Sequence, residues 1–307
     1  MSIYLGVDTS NYTTSFALSG DLDRNQRKIL PVPEGQRGIR QSDGVFWHIK
    51  QAPELFSGLM SETDKNEIKA VGVSTRPRSV DGSYMPVFLA GETFAEIISA
   101  TLGVPLYKFS HQDGHLMSAI LSAGREDLLE REFFSVHLSG GTFEILKSRY
   151  KKSGFVSEIV GGTLDISAGQ LLDRAGVKMG YSFPAGKMIS ELAKNHDIKT
   201  PKLSVSEKDG FINLSGAETQ AMKLIETDTK ENIAYALIEV IGKSLIKALN
   251  SVGATEVLMA GGVISSDILR KYLKEFGDIS FSFATPEMSS DNAWGIAKLT
   301  EYMEKGE

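Results

Sequence analysis

Two stretches of this chain open in the same way, and that repetition constrains the fold more than any other feature. Residues 3–7 form a β-rich run ending at Asp8, polar turn residues follow, and a second apolar run covers 15–18, which predicts a β-hairpin. Residues 133–138 and 143–147 repeat the pattern around the turn Ser139-Gly140-Gly141-Thr142, with another strand near 155–160. After each hairpin, strands alternate with helices. The first half predicts a short helix at 53–61, strands at 68–74 and 104–109, and helices at 88–102 and 113–123. The second predicts helices at 166–179, 187–196, 217–226 and 230–250. A strand at 256–259 then enters Gly261-Gly262, a helix capped by Ser265 or Ser266 follows, and a strand covers 279–283. Ser290 is the expected N-cap of a closing helix that reaches about residue 303. Residues 21–44 are polar and irregular, and a docked loop or poorly formed strand is expected there. Alternating elements with two similar openings imply a duplicated α/β architecture of two lobes.

The length of 307 residues suits two compact lobes, and 41% hydrophobic with 23% charged residues is ordinary globular composition. The net charge of -6 disfavours a broad surface for phosphate backbones, so any RNA contact needs a local basic patch or a partner subunit. Two basic runs are candidates: residues 147–152 (K-S-R-Y-K-K), expected as a solvated hairpin tip, and Arg76-Pro77-Arg78. The absence of cysteine excludes disulfides and thiolate sites, so any metal must be held by His, Asp or Glu. No run approaches 18 uninterrupted apolar residues and the N-terminus has no basic leader, so a cytoplasmic location is expected.

His111 and His115 stand where a strand hands over to a helix, and side chains four apart on a helix share a face. Two imidazoles so placed can converge on one divalent ion, expected at the cleft between the lobes. Zinc, iron or manganese at such a site wants a carboxylate as well, and Asp113 points off the shared face. Asp291 is a candidate third ligand at the start of the closing helix, or a carboxylate favoured there by the macrodipole. The glycines of Ser139-Gly140-Gly141-Thr142 let backbone N–H groups approach a phosphate, or mark only a tight turn. Gly261-Gly262 after a strand is open to the same two readings. Asp8, Asp165 and Asp173 lie at strand ends or on adjoining helices, as site carboxylates, caps or surface charges. The spacing His-x-x-x-His lacks the glutamate of His-Glu-x-x-His, which leaves a metalloprotease with the weakest support.

Six strings in order resemble the TsaD/Gcp family of tRNA threonylcarbamoyladenosine transferases, once taken for glycoproteases. They are L-G-V-D-T-S from Leu5, H-x-x-G-H from His111, L-S-G-G-T from Leu138, G-G-T-L-D-x-x-A-G-Q-x-x-D from Gly161, M-A-G-G-V from Met259 and S-D-N-A from Ser290. The resemblance implies the two-lobed ASKHA fold of actin, Hsp70 and sugar kinases. One lobe is then 1–110 completed by 289–307, and the other is 111–288. It implies one divalent metal, iron or zinc, on His111, His115 and Asp291, with Asp8 as a catalytic carboxylate. It also implies an adenylate or ATP-type nucleotide on Ser139, Gly140, Gly141, Thr142, Phe143, Asp173, Gly186, Gly262 and Ser266. The implied partners are tRNA, the family's smaller ASKHA paralogue and a small ATPase subunit, with no membrane.

The chain departs from the family's pattern at several positions. Asn11, Tyr12 and Thr13 stand where acidic residues usually follow Thr-Ser, and Arg76-Pro77-Arg78 replaces Gly-Pro-Gly. Thr142 replaces a histidine, Ile166 the second aspartate of a pair, Gln170 a glutamate and Ser266 an asparagine. The pattern is that of a divergent paralogue. Two functions are expected from it: transfer of a threonylcarbamoyl group to a tRNA adenosine, or binding of a nucleotide or other anion by a non-catalytic assembly subunit.

Overall fold

The computed structural model describes residues 1–10, 12–31, 39–197 and 199–306, so Asn11 lies outside the described residues. Its elements, numbered in chain order, fall into two compact units. Unit 1 comprises Met1–Glu126, Tyr150–Val156 and Ser290–Glu307, and unit 2 comprises Asp127–Arg149 and Ser157–Ser289.

Unit 1 is built on a five-stranded sheet of order β3-β2-β1-β4-β5: β1 (Ile3–Asp8), β2 (Thr13–Gly20), β3 (Arg24–Ile29), β4 (Ile68–Arg76) and β5 (Leu106–Ser110). β1 pairs antiparallel with β2 and parallel with β4, so every residue of β1 is buried. Side chains alternate across these strands, and the alternation decides what covers each face. Leu5, Val7, Phe16, Leu18, Val71 and Val73 pack with Ala52, Leu55 and Leu59 of α1 (Gln41–Met60) and Ala95 of α2 (Phe88–Leu102). The intervening residues, Gly6, Ala17 and Gly72, are small. A Cβ on Gly6 would lie 2.4 Å from the Ala293 carbonyl oxygen, and one on Gly72 would lie 1.8 Å from Thr300 Oγ1. The closing helix α9 (Trp294–Lys305) therefore sits directly on the backbone of that face.

Helix α1 is far longer than the short helix expected at 53–61. Its buried face is Gly44, His48, Gln51, Ala52, Leu55 and Leu59. The spacing is helical, but two of its contributors are polar, and an apolar pattern cannot reveal them. Thr14 Oγ1 donates to Gln51 Oε1 at 3.0 Å and meets His48 Nδ1 at 2.9 Å, while His48 Nε2 is buried without a hydrogen-bond partner among the described residues. Burial holds the His48 imidazole down at about 4, against the opposing pull of Asp8. The folded chain thus keeps His48 neutral where the unfolded chain, with a value of 6.5, protonates it. That contribution is complete above about pH 6.5 and is lost as pH falls toward 4, at most about 3 kcal/mol. His48→Gln should accordingly flatten the loss of unfolding free energy between pH 7 and pH 4. Parallel urea-denaturation curves for the two proteins across that range would refute it.

Unit 2 carries a seven-stranded sheet of order β12-β11-β6-β7-β8-β10-β9. Its strands are β6 (Glu132–Leu138), β7 (Phe143–Lys151), β8 (Gly154–Thr163), β9 (Ser206–Lys208), β10 (Phe211–Asn213), β11 (Glu256–Ala260) and β12 (Ser280–Phe283). The order β8-β7-β6-β11-β12 reproduces β3-β2-β1-β4-β5, including the antiparallel hairpin and the parallel strand beside its first member. This is the duplicated topology of the ASKHA fold. Helices α4 (Ala168–Lys178), α5 (Gly186–Leu192), α6 (Ser215–Leu224), α7 (Lys230–Ser251) and α8 (Asp267–Lys274) complete the unit, with α7 running through the core. The basic run 147–152 lies along β7 and leads into the turn between β7 and β8.

The units differ from the expected lobes, which changed over at residue 110. Helix α3 (His111–Ser122) stays with unit 1 because it packs against α9 through paired glycines. A Cβ on Gly295 would stand 1.9 Å from the Gly114 carbonyl oxygen. The closing helix also starts later than expected, at Trp294, with Ala293 in the cap position and no side-chain cap. Ser290 and Asp291 belong to the loop before it.

Candidate functional site

Strand β5 ends at Ser110, which begins α3 with a capping box. Its hydroxyl accepts the Asp113 N–H at 3.1 Å, and the Asp113 carboxylate accepts the Ser110 N–H at 2.8 Å. Asp113 also accepts the Phe155 N–H at 3.0 Å and the Ser79 hydroxyl at 2.9 Å, so it turns away from the histidines. His111 occupies the first turn and His115 the next. Their Nε2 atoms lie 2.9 Å apart, and Asp291 Oδ1 lies 3.2 Å from His115 Nε2 and 3.6 Å from His111 Nε2. One ligand atom from each of the three residues falls within 4.8 Å of the others. All three belong to unit 1.

This donor set fits a divalent metal. Donors bound to one tetrahedral ion at ordinary Zn–N and Zn–O lengths lie roughly 3–3.5 Å apart, close to the spacing found. Two imidazoles and one carboxylate suit zinc or iron and leave a coordination position open. Behind His111, its Nδ1 meets Asp8 Oδ1 at 3.0 Å. Asp8 is completely buried, and it accepts the Ser10 hydroxyl at 2.7 Å and the Ser74 hydroxyl. Burial pushes the Asp8 carboxyl up, but the charge and hydrogen bond of His111 and the two serine hydroxyls outweigh it, and its pKa lies below the usual value. Burial likewise opposes charge on His111, yet Asp8 and Asp291 raise its pKa to about 10. Asp291 is held well below the carboxylate range, its burial overcome by hydrogen bonds from His111 and His115. A carboxylate behind a ligating imidazole fixes its tautomer and directs the other nitrogen forward. Sequence reasoning had Asp8 but missed its two hydroxyl partners: Ser10 is a local one, two residues on, whereas Ser74 is brought to it only by the β1–β4 pairing.

The loop after β4 lies against the same helix: the Gln112 N–H donates to the Pro77 carbonyl at 3.0 Å, which places Arg76-Pro77-Arg78 beside the first turn of α3.

Unit 2 holds a pocket of about 460 Å³ whose lining includes Gly140, Asp173, Gly186, Gly262 and Ser266. Asp173 Oδ1 accepts the N–H groups of Ala185 and Gly186 at 2.7 and 3.1 Å, which fixes the loop entering α5. Ser266 caps α8 and shares a 2.8 Å hydrogen bond with Ser190, another lining residue. Gly261 turns the chain at φ 106°, where a Cβ would meet the Leu138 carbonyl oxygen at 2.3 Å. The turn of residues 139–142 is docked on the start of α4: Ser167 Oγ donates to the Gly140 carbonyl at 2.6 Å. Gly140 alone of Ser139, Gly140, Gly141, Thr142 and Phe143 reaches the lining. Ser139 Oγ accepts the Thr142 N–H at 3.1 Å, and the Phe143 ring is buried in the unit 2 core. Asp165 is a structural cap; burial raises its pKa, but hydrogen bonds from Ser215, Leu214 and Ile166 bring it to about 2. Lys187, Ser190, Glu191 and Asp267 of the lining had no signal in the sequence beyond standing at helix starts or on a pocket-facing turn.

The family model for TsaD, tRNA N6-adenosine threonylcarbamoyltransferase, matches residues 45–298. The chain belongs to the TsaD family. As a member of it the chain is a transferase of the tRNA-modifying class. The tRNA N6-adenosine threonylcarbamoyltransferase of Christiangramia forsetii is 27% identical over 265 residues, covering 79% of this chain and 75% of the relative. A probable bifunctional tRNA threonylcarbamoyladenosine biosynthesis protein of Methanocaldococcus jannaschii is 29% identical over 312 residues, 99% of this chain and 56% of that protein. Among solved structures, component A of the Acidaminococcus fermentans (R)-2-hydroxyglutaryl-CoA dehydratase is similar in fold, with a TM-score of 0.58 at 15% identity, covering 99% of both chains.

Proposed function

We propose that this TsaD-family chain transfers a threonylcarbamoyl, or related carbamoyl, group from an adenylate to the exocyclic amine of the tRNA adenosine next to the anticodon. The observation that carries the reading is the convergence of His111, His115 and Asp291 at ligand spacing, in a member of this transferase family. In the reaction the amine nitrogen bonds to the carbamoyl carbon as the bond from that carbon to the phosphate oxygen breaks, releasing the adenylate portion as AMP, with the displaced amine proton passing to the released phosphate or to solvent. An iron or zinc ion on the three ligands would supply a Lewis acid for the carbonyl or phosphoryl oxygen. The chain's own contribution begins with Asp8, which holds His111 Nδ1 so that Nε2 faces Asp291 and His115. Asp8 thus acts through His111, with its remaining lone pairs taken by Ser10 and Ser74. The nucleotide is assigned to the unit 2 pocket, with Gly140 and Gly262 offering backbone, and Asp173, Gly186 and Ser266 shaping the wall. tRNA is the acceptor, helped by a partner such as the family's smaller ASKHA paralogue and its small ATPase. The net charge of -6 supports the need for one. No helix among the described residues is long and apolar enough to cross a membrane, and a cytoplasmic site of action fits that.

A second reading, a non-catalytic nucleotide- or anion-binding subunit, is favoured by Thr142, Ile166, Gln170 and Ser266 in the motifs around the pocket and by Arg76-Pro77-Arg78 beside α3. One experiment separates the two. Purified protein, loaded with metal and supplied with its partner subunits, is mixed with threonylcarbamoyl-adenylate and unmodified tRNA, and modified adenosine is counted by nucleoside mass spectrometry. Metal-dependent product is expected. Stabilisation by the adenylate with no product would leave only the binding subunit.

A further inference from the structure

Asp291 differs from the two histidines in what holds it. His111 and His115 ride on a capped helix, whereas Asp291 sits in the loop between Ser290 and the start of α9. The C-terminal side of that loop is pinned: Ala293 N–H donates to Ser15 Oγ at 2.8 Å, and Ser15 Oγ donates to Asn25 Oδ1 at 3.2 Å. On its other side the Arg27 guanidinium, on the exposed edge strand β3, donates to Ser290 Oγ and makes a longer 3.5 Å contact to the Asp291 carbonyl oxygen. Arg27 pairs with Ser15 across the β2–β3 ladder, so one register of the hairpin fixes both ends of the ligand loop.

We propose that Arg27 is a positioning residue for the metal ligand Asp291, so that the grip of the centre on its cation is set from the edge of the unit 1 sheet. The inference rests on the metal reading of His111, His115 and Asp291. Both contacts come from Nη1, which the planar guanidinium holds in a fixed orientation that a lysine ammonium on its flexible stem does not reproduce. The sign of the effect separates positioning from charge. Arg27 is a cation near a cation site, so if charge alone mattered its removal would tighten metal binding. If it positions Asp291, its removal loosens the site.

The test is Zn²⁺ affinity of the full chain, measured in competition with a chromophoric chelator, with Co²⁺ absorption as a report on ligand geometry. Arg27→Ala should raise the Zn²⁺ Kd about tenfold and alter the Co²⁺ bands, as loss of a residue supporting a metal ligand does. Ser290→Ala should do likewise, and the double variant should lose about tenfold rather than the product of the two. Arg27→Lys should recover no more than part of the loss. Melting temperatures should stay close to wild type, since Arg27 is exposed. An Arg27→Ala protein that binds Zn²⁺ as tightly as wild type or tighter, while His115→Ala loses binding, would overturn the role of Arg27 and leave the metal centre standing. Equal Zn²⁺ binding by wild type and His115→Ala would overturn both.

Discussion

His115→Ala should purify with less than about a tenth of the wild-type metal and show no transfer above background. Losing one of three protein donors is expected to weaken binding by two to three orders of magnitude, or about 3–4 kcal/mol. His115 is the right residue to remove because its loss leaves the rest of the site in place. His111 keeps Asp8 on Nδ1, and the capping box of α3 is untouched. His111→Ala would instead strand the buried Asp8 without its imidazole, mixing a metal effect with a folding one. Asp291 retains His111 in the His115 variant, so the carboxylate is not left alone. Metal per chain is read by elemental analysis after dialysis, transfer by modified nucleoside, and fold by circular dichroism. Wild-type metal content in a folded His115→Ala protein would sink the assignment.

How much of this was legible in the sequence depended on whether the deciding contact was local. The histidine pair was legible because helical periodicity alone brings residues four apart together, and α3 does form there. The repeated hairpins were legible because each is two β-rich runs joined by a short polar turn, so the paired strands are neighbours in sequence. Asp291 entered through the order of motifs; the local argument, that it starts a helix, was incorrect because α9 begins at Trp294. Helix α1 was read short because His48 and Gln51, its inward polar residues, meet Thr14 on a distant strand rather than an apolar stripe. The strands β9 and β10 span three residues each, too few to carry a period. Around the pocket the motif string named five consecutive residues from Ser139 to Phe143, and of these Gly140 is the one on the pocket lining. Backbone direction within a tight turn is settled by what docks on it, here Ser167 at the start of α4.

The second large effect should come from a residue that touches neither metal nor substrate. Gly295 lies in the first turn of α9, where helix propensity favours alanine over glycine by roughly 0.5–1 kcal/mol. Propensity alone therefore predicts that Gly295→Ala stabilises the chain. Packing predicts the opposite, and by more. The added Cβ would stand 1.9 Å from the Gly114 carbonyl oxygen and 2.5 Å from Ser118 Oγ. The first obstacle is backbone of α3 and cannot rotate away, so α9 must move. Overpacking of this kind costs about 1–3 kcal/mol, which for a unit of this size is a fall in Tm of about 2–12 °C. The movement also reaches the three candidate metal ligands. α9 is joined to Asp291 through Asn292 and Ala293, while Gly114 lies next to His115, so separating the helices draws the carboxylate from the imidazoles. Gly295→Ala should therefore lose both heat stability and Zn²⁺ affinity. Gly58→Ala, in α1 with nothing within 4 Å of its Cβ, should melt at or above the wild-type temperature and bind metal normally. If the two alanine variants behave alike, the close approach of α3 and α9 is not what brings Asp291 to the histidines. If they diverge as expected, the glycine within H-x-x-G-H and the one after S-D-N-A-W serve the same centre as the ligands beside them, by letting two backbones meet where their side chains must converge.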